Sequence, residues 1–561
     1  MKNAICIGAE HVTVVDYDEN LVLKRLCFEH RVFIYSQYTY YRNAHHYQLY
    51  PGYPVMKRLA QLSPTADIQK HVPKRVAIVG GGTAGVTALK TLLVDLPVEA
   101  RHDWDVVLFE QRQDVGGVWL PDPSTPQPPE LPETPLYPRL MTNTPHPTMT
   151  IPHFPFRPET NLFPHHPDVK RYHADIIEHW NLSSHIKLNQ EVLKGRWIGT
   201  ANNGRWRLLV RDQLHDKTIE TEFHHLIVAN GHYHYPYEPV INGRKDWEKA
   251  ANRSAFHSIY YRNPEDYTGR NVVVVGGGAS GRDIAQQIVT CANSTYVSLK
   301  GNGYRNIPFP RIPGAEFKPR IHHFTSDSVV FEDNTTLSHI DTIIYGTGYE
   351  NRVPFLTSTG HLSVNQTLTL DQLTTNLRYI YPLYRHVLSL DPSYPIGSLY
   401  FIGLPIFVAN AISDSAQSLF TAYTISDPTL LPSRSELLED LFTQESRIRG
   451  AGYDPAYVGH RLIGDHASES YQDGLVEFLQ ERGKAGHGSI PEAGQKFTEQ
   501  WRKFGRDEGD IMRRGWQRVL DKGDQVVRSW LAGVETERDW VKLMKKLVDW
   551  EREQEVEEDT D

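Results

Sequence analysis

The stretch RVAIVGGGTAGVTALK, residues 75 to 90, sets Gly80, Gly82 and Gly85 in a G-x-G-x-x-G spacing behind a four-residue apolar run. Each glycine answers a separate need. The first allows a tight turn, the second lets backbone approach a pyrophosphate, and the third lets helix and strand pack closely while the helix N-terminus faces the anion. Gly81, Thr83 and Ala84 belong to the same turn and count with it as cofactor-binding. A second apolar run, DVVLFEQ, ends in Glu110, whose carboxylate can accept hydrogen bonds from the ribose hydroxyls of a dinucleotide. The interval is longer than the usual roughly 20 residues, and LPVEARHDWD reads as an inserted loop that accounts for it.

The chain repeats the device. RNVVVVGGGASGRDIA, residues 270 to 285, places Gly276, Gly278 and Gly281 behind an uninterrupted valine run, with Ser280, Arg282 and Asp283 counted among the cofactor-binding residues. The next apolar run, TYVSLK, ends in Lys300 where the first unit ends in Glu110. A cation at that corner attracts a 2′-phosphate that a carboxylate repels, so NADPH is favoured over NADH. Lys300 and Arg305 are the candidates; the competing reading is a solvated lysine. Two such cradles make sense where one cofactor must reduce another.

From Arg75 onward, short Val, Ile and Leu runs alternate with helix-like segments, the pattern of a parallel sheet covered by helices. The expected fold is α/β, with two Rossmann-like dinucleotide-binding domains. RWRLLVRDQLHDKTIETEFHHLIVANG ends at a glycine turn by Gly231, and SHIDTIIYGTGYE repeats that ending near Gly348. Residues 121 to 138, with eight prolines, can form neither helix nor central strand and read as a stiff surface excursion without chemistry. Within residues 1 to 73 the tyrosine-rich YSQYTYYRNAHHYQLYPGYP has no period; Met56 reads as a functional start, with a genuine N-terminal extension as the alternative. The tail after Arg482 is highly charged. Its segment TERDWVKLMKKLVDW opens with a capping box from Thr536 to Asp539, aspartate standing for the usual glutamate, and puts Trp540, Leu543, Met544 and Leu547 on one face. A helix docked on its own domain is expected, against a membrane-surface or partner helix.

With 561 residues, two or three domains are expected. A net charge of -9 gives no basic stripe for a nucleic-acid partner. Cys6, Cys27 and Cys291 are far apart, with no CxxC and no Cys/His cluster, so neither a disulfide framework nor a metal site is expected. No run of eighteen apolar residues and no signal-peptide pattern occurs, so a cytoplasmic protein without a transmembrane segment is expected, and a homo-oligomer is compatible with it.

At DVGGVW, residues 114 to 119, the sequence begins to resemble the flavin-containing monooxygenase family, where the same Gly-Gly-x-Trp lies against the pyrophosphate and ribityl portion of FAD. Gly116, Gly117, Val118 and Trp119 carry over by position. YPRLMTNTPHP is similar to the family's Tyr-x-x-Leu-x-Thr-Asn-x-Pro block through Tyr137, Leu140, Thr142, Asn143 and Pro145, which implies cofactor contacts at Thr142, Asn143 and Thr144. The resemblance puts Asn143 beside the flavin ring and the nicotinamide, where its amide offers donor and acceptor to the reacting oxygen. An Asx turn before Pro145 is the structural alternative. FHSIYYRNPEDYTGR resembles the fingerprint Phe-x-Gly-x-x-x-His-x-x-x-Tyr/Phe in His257, Ser258 and Tyr261, but Ala251 and Arg253 replace its Phe and Gly. His257 reads as a hydrogen-bonded linker residue without a role in proton transfer. DTIIYGTGYE resembles the family's Ala-Thr-Gly-Tyr motif with Gly346 in place of Ala; Thr347 and Gly348 count as cofactor-binding, and the turn, with Asp341 opening its strand, would bring the chain back to the FAD domain. In SDSAQSLF, Gln417 matches, while Ser415 stands where a glutamate is usual.

The resemblance covers roughly residues 74 to 435. It implies FAD-binding segments 74–235 and 326–435, an NADPH domain inserted at 236–325, and a charged, mostly helical region 436–561 after the extension 1–73. The implied activity is an NADPH- and O2-dependent monooxygenase in which flavin, reduced by NADPH, forms a C4a-hydroperoxide whose distal oxygen passes to a small organic substrate. Tyr261, rather than Trp, points to the branch that oxygenates a soft nitrogen or sulfur, with secondary metabolism as the expected setting. Asn143 is then the one catalytic candidate. A Baeyer-Villiger oxygenase acting on ketones is the nearest alternative, and a non-catalytic FAD/NADP-binding redox sensor is one from another class. A pyridine-nucleotide disulfide reductase would need a redox cysteine pair that this chain lacks.

Overall fold

The β-branched runs that precede the glycine turns become buried central strands, because a parallel sheet covered by helices on both faces has no solvent side. The computed structural model describes residues 2–7, 12–17, 73–101, 103–249, 253–301 and 311–560. From β1 (Lys74–Val79) the chain passes through α1 (Thr83–Lys90), β2 (Trp104–Phe109), α2 (His166–His179) and β3 (His225–Val228). It then leaves for β4 (Ser254–His257), β5 (Asn271–Val275), α3 (Ala279–Ile288), β6 (Ser294–Ser298), β7 (Ala315–Lys318) and β8 (Thr342–Tyr345). It returns in β9 (Leu399–Phe401) and α4 (Asn410–Ser426).

Two sheets result. The first runs β9-β3-β1-β2 in parallel and is extended by Ile186–Lys187 at one edge and the short antiparallel strands Leu388–Ser389 and Leu383–Tyr384 at the other. The second runs β4-β8-β5-β6-β7, parallel throughout. Tyr235–Pro236 pairs antiparallel with Tyr349–Glu350, so the outgoing and returning chain lie side by side.

That pairing moves a boundary. β8 lies between β4 and β5 in the second sheet, so the expected return at residue 326 comes too early, whereas the glycine turn that follows the strand opened by Asp341 is where the chain leaves this sheet. The chain crosses back only at Tyr349–Glu350. The start of the tail also shifts. The helix α5 (Arg434–Gly450) spans the expected boundary at 436, and its Leu437 and Leu441 share a core with β1 and α4, as do Leu475 and Leu479 of α6 (Ala467–Leu479). A separate helical layer begins only with α7 (Gln500–Asp507), followed by α8 (Gly509–Asp521), α9 (Asp524–Leu531) and α10 (Glu537–Thr560).

α10 begins as expected. The Thr536 hydroxyl donates to the Asp539 carboxylate at 2.7 Å, and the Asp539 amide donates back to Thr536 Oγ1 at 3.3 Å. Trp540, Leu543, Met544 and Leu547 are buried with Trp516 and Met512 of α8 and with Leu162 and Phe163. The apolar face is thus spent inside this chain, on the segment that follows the Thr142–Asn143 strip. The proline-rich residues 121–138 form neither helix nor strand.

Lys2–Ile7 and Val12–Tyr17 pair antiparallel within a separate unit, Met1–His71. Met56 and the tyrosine-rich segment lie outside the described residues. Among the described residues no helix is long and apolar enough to cross a membrane.

Candidate functional site

Gly80 adopts φ +111°, and a Cβ there would meet the Ala229 carbonyl oxygen at 2.4 Å; a Cβ on Gly85 would meet the Gly80 oxygen at 1.8 Å. Only glycine satisfies both positions. α1 starts at Gly82 with no side chain capping its first amides, which leaves those donors and the positive end of the helix for an anion. Gly117, at φ +53°, closes on this opening, since a Cβ on it would meet the Gly82 Cα at 2.9 Å. Thr83 is fixed through its hydroxyl to His173 Nε2 at 2.9 Å, while His173 Nδ1 donates to the Val169 carbonyl at 2.8 Å. Burial keeps that imidazole neutral by lowering it to about 4. Ala84 comes near the start of α4, because a Cβ added at Gly403 would lie 2.9 Å from its Cβ and 3.7 Å from Asp414 Oδ1.

Glu110 is 6 % exposed. Its Oε2 accepts from the Gly81 amide at 2.6 Å and its Oε1 from the Arg112 amide at 2.8 Å. Burial raises its pKa, against these amides and the Arg112 charge, which hold it down. Each oxygen retains a lone pair for a further donor. Sequence reasoning overlooked Arg112. Its guanidinium is buried and donates to the carbonyls of Gly117 at 3.3 Å, Leu120 at 2.8 Å and Pro121 at 2.8 Å, and it pairs with Glu133 at 2.7 Å. It therefore sets the path of the Gly117-Val118-Trp119 turn; Thr134 reinforces this from the proline-rich loop by donating to the Val118 carbonyl at 2.7 Å. The only sequence signal was a basic residue between Glu110 and the double glycine.

The Thr142–Asn143 strip is pinned along its backbone. The Thr142 amide donates to the Pro164 carbonyl at 3.0 Å, the Thr142 hydroxyl to the Thr144 carbonyl at 2.9 Å, and the His146 amide to the Leu162 carbonyl at 2.9 Å. Asn143 itself is exposed, and among the described residues its side-chain amide has no partner, so the Asx-turn alternative finds no hydrogen bond to support it.

The second cradle follows the same rules. Gly276 takes φ +110°, where a Cβ would meet the Gly346 oxygen at 2.4 Å, and α3 begins at the open, uncapped Gly278. Ser280 is half-buried in its first turn. Gly281 packs so tightly that a Cβ on Gly346 would sit 2.9 Å from the Gly281 Cα. That contact explains why this chain carries Gly346 where its motif usually has alanine. Thr347 donates to the Tyr237 carbonyl, and Gly348, at φ +87°, accepts at its carbonyl from His257 Nε2 at 2.9 Å. His257 Nδ1 accepts from the Ile259 amide at 3.2 Å, so both ring nitrogens are engaged in holding the linker. Burial lowers His257 to about 4.

The charged candidates of this cradle do not converge on Gly278. The Asp283 carboxylate accepts from the Tyr137 phenol and from Gln287 at 2.9 Å, and Arg282 faces Asp510 at 3.7 Å. Lys300 is exposed and donates to the Tyr457 hydroxyl at 3.2 Å; its ammonium and the Arg378 guanidinium lie 5.0 and 4.8 Å from the Tyr457 ring. Arg305 lies outside the described residues.

α4 supplies the remaining elements. Gln417 accepts from the Gly403 amide at 3.0 Å and donates to Ser413. Ser415, in the position where glutamate is usual, bonds back to the Ala411 carbonyl at 2.7 Å. The acid beside it, Asp414, is 3 % exposed and pushed up to about 8 by burial. Sequence reasoning missed it, although the lone charged residue of an otherwise uncharged helix was a visible signal.

A family model of flavin-binding monooxygenase-like proteins matches residues 73–307 and 306–452. The flavin-containing monooxygenase FMO GS-OX-like 2 of Arabidopsis thaliana is 28 % identical over 437 residues, covering 75 % of this chain and 87 % of the relative. FMO GS-OX3 of the same plant is 28 % identical over 388 residues, covering 66 % and 77 %. Among solved structures, an S-allyl-L-cysteine S-oxygenase from Allium sativum superposes with a TM-score of 0.64 at 24 % identity, over 86 % of this chain and 98 % of its own. Tmm from Pelagibacter sp. strain HTCC7211 gives 0.60 at 20 % identity, over 80 % and 92 %.

Proposed function

Because this chain belongs to the flavin-binding monooxygenase-like family and is an FAD-dependent oxidoreductase that uses NADPH and O2, we propose that it places one oxygen atom on a soft nucleophilic sulfur or nitrogen of a small organic molecule. Sulfur is the first atom to test, given that the Allium neighbour is an S-oxygenase. A role in secondary metabolism accords with this reading.

The residues present suit both cofactors. In each cradle a helix start without a side-chain cap lies behind a glycine whose Cβ would collide with backbone, the shape a pyrophosphate needs. We assign FAD to Gly80 through Gly85, Glu110, Gly117 through Trp119 and Thr142 through Thr144. NADPH goes to Gly276, Gly278, Ser280 through Asp283 and Lys300, with Thr347 and Gly348 at the crossing between the domains. On this assignment the FAD domain comprises residues 74–235 and from Tyr349 to the end of α6, the NADPH domain lies between, and the helical layer from α7 onward stands outside both.

When bound, FAD accepts hydride from NADPH and supplies activated oxygen. The chain positions and shields. Amides at the start of α1 would hold the pyrophosphate and Glu110 would accept from ribose, while Arg112 fixes the Gly117 turn beside them. Asn143 carries the proposal. Its unpartnered amide, on a backbone fixed from both sides, leaves a donor and an acceptor available to the reacting oxygen. His257, neutral with both nitrogens engaged, moves no proton.

The experiment is anaerobic reduction by NADPH followed by mixing with O2. An oxygen-dependent transient absorbance before the yellow colour returns supports the reading. Immediate return with stoichiometric peroxide, in the presence of a thioether, contradicts it.

A further inference from the structure

One helix of the tail touches both cradles' surroundings. Arg513, on α8, donates from Nη2 to the Thr142 carbonyl at 2.9 Å and lies over Phe163 with Cζ 5.0 Å from the ring centroid. Burial lowers its pKa, opposed first by the neighbouring Asp283 carboxylate. Asp283 accepts from the phenol of Tyr137, five residues before Thr142, and from Gln287. At the start of the same helix Asp510 faces Arg282 at 3.7 Å. Trp516 Nε1, one turn beyond Arg513, donates to Asn161 Oδ1 at 2.6 Å. Arg502 of α7 donates to the carbonyls of Pro147 at 3.2 Å and Thr150 at 3.1 Å, at the far end of the strip.

The helix thus binds the Thr142–Asn143 backbone on one side and meets the opening turn of α3 on the other. A planar guanidinium suits this arrangement, because its donors diverge at fixed angles and its charge never leaves. A lysine keeps the charge and loses the fork.

We propose that Arg513 is a positioning residue that fixes the Asn143 strip of the FAD domain relative to the Arg282–Asp283 turn of the NADPH domain, so that a helix outside both domains sets their spacing. The proposal rests on the reading of Asn143 given above. Misplacement of a reacting group by about 1 Å can cost on the order of 100-fold in rate, so coupling between NADPH use and oxygen transfer is the sensitive readout.

The test uses the full chain with Arg513→Gln and Arg513→Lys. Hydrogen exchange of the 141–148 backbone is followed with and without FAD, and peroxide released per NADPH consumed is measured with a thioether present. Arg513→Gln is expected to speed exchange of that segment at least tenfold, with α10 unchanged, and to raise the peroxide ratio at least threefold; Arg513→Lys is expected to recover part of both. Faster exchange with wild-type coupling overturns the positioning role, as does wild-type behaviour in both measurements. If Arg513→Gln fails to fold, Arg513→Lys decides alone: an unchanged peroxide ratio with unchanged exchange overturns the proposal. Asn143→Ala tells the two ideas apart, because wild-type coupling in that variant removes the reading of Asn143, whatever the exchange data show for Arg513.

Discussion

The Gly81 amide donates to Glu110 at 2.6 Å, so the carboxylate that ends β2 ties down the glycine turn that ends β1. The bond is charge-assisted and buried, and the second oxygen is held by the Arg112 amide. Glu110→Gln turns one of these acceptors into a donor facing an N–H. Hydrogen bonds to charged groups contribute about 1.5–3 kcal/mol, so FAD affinity should fall by roughly 10- to 100-fold. Fluorescence titration of apoprotein with FAD checks this, and an unchanged dissociation constant would refute it.

Gly346→Ala restores the residue usual at that position and should nonetheless harm this protein. The added Cβ would lie 2.9 Å from the Gly281 Cα, against backbone that cannot easily move. Overpacking of this kind costs about 1–3 kcal/mol. A lowered melting temperature with a raised KM for NADPH and unaltered FAD content is expected; a variant as stable as wild type would show that the contact relaxes freely.

Lys300 and Arg378 place two cations on the Tyr457 ring at the outer end of β6, with no carboxylate paired to either among the described residues. Lys300→Ala should reduce kcat/KM for NADPH by about tenfold or more, the scale of one charge-assisted contact to phosphate, while sparing NADH. Equal losses with both nucleotides would show that Lys300 serves packing and not the 2′-phosphate.

Acid should destabilise the fold early. Burial lowers His146 and His225 to about 3, and His173, His232, His257 and His386 to about 4, from an ordinary 6.5. Each is neutral when folded and takes up a proton when unfolded in the interval between these values. Stability is therefore full above pH 6.5 and falls as the pH drops toward 4. The buried carboxyls of Asp414, raised to about 8, and of Glu110, Asp283 and Glu537, raised by burial, act in the opposite direction, against these six imidazoles. The urea midpoint at pH 5 should lie well below that at pH 7, by about 3 kcal/mol or more in stability. A midpoint that rises on acidification would contradict the burial of these rings.

The two glycine turns were legible because positive φ and backbone contact at Gly80, Gly85, Gly276 and Gly281 leave glycine as the only choice, and this constraint is written locally. The apolar face of α10 was legible for a similar reason, since helical spacing and the Thr536–Asp539 cap are short-range patterns. The place of β8 was not, because a parallel strand's neighbours come from distant chain and its composition suits either sheet. Arg112 and Arg513 escaped notice because their partners are carbonyl oxygens, which have no side-chain signature. The sense of Gly346 needed the position of Gly281.

The most direct measurement is product analysis after aerobic turnover with NADPH, offering a thioether, a tertiary amine and a cyclic ketone in parallel. One sulfoxide or N-oxide formed for each NADPH consumed, with loss of that product and a rise in peroxide in Asn143→Ala, is the predicted result. Ester formed from the ketone with no sulfoxide or N-oxide, or NADPH oxidation that yields peroxide alone from every substrate, would contradict it.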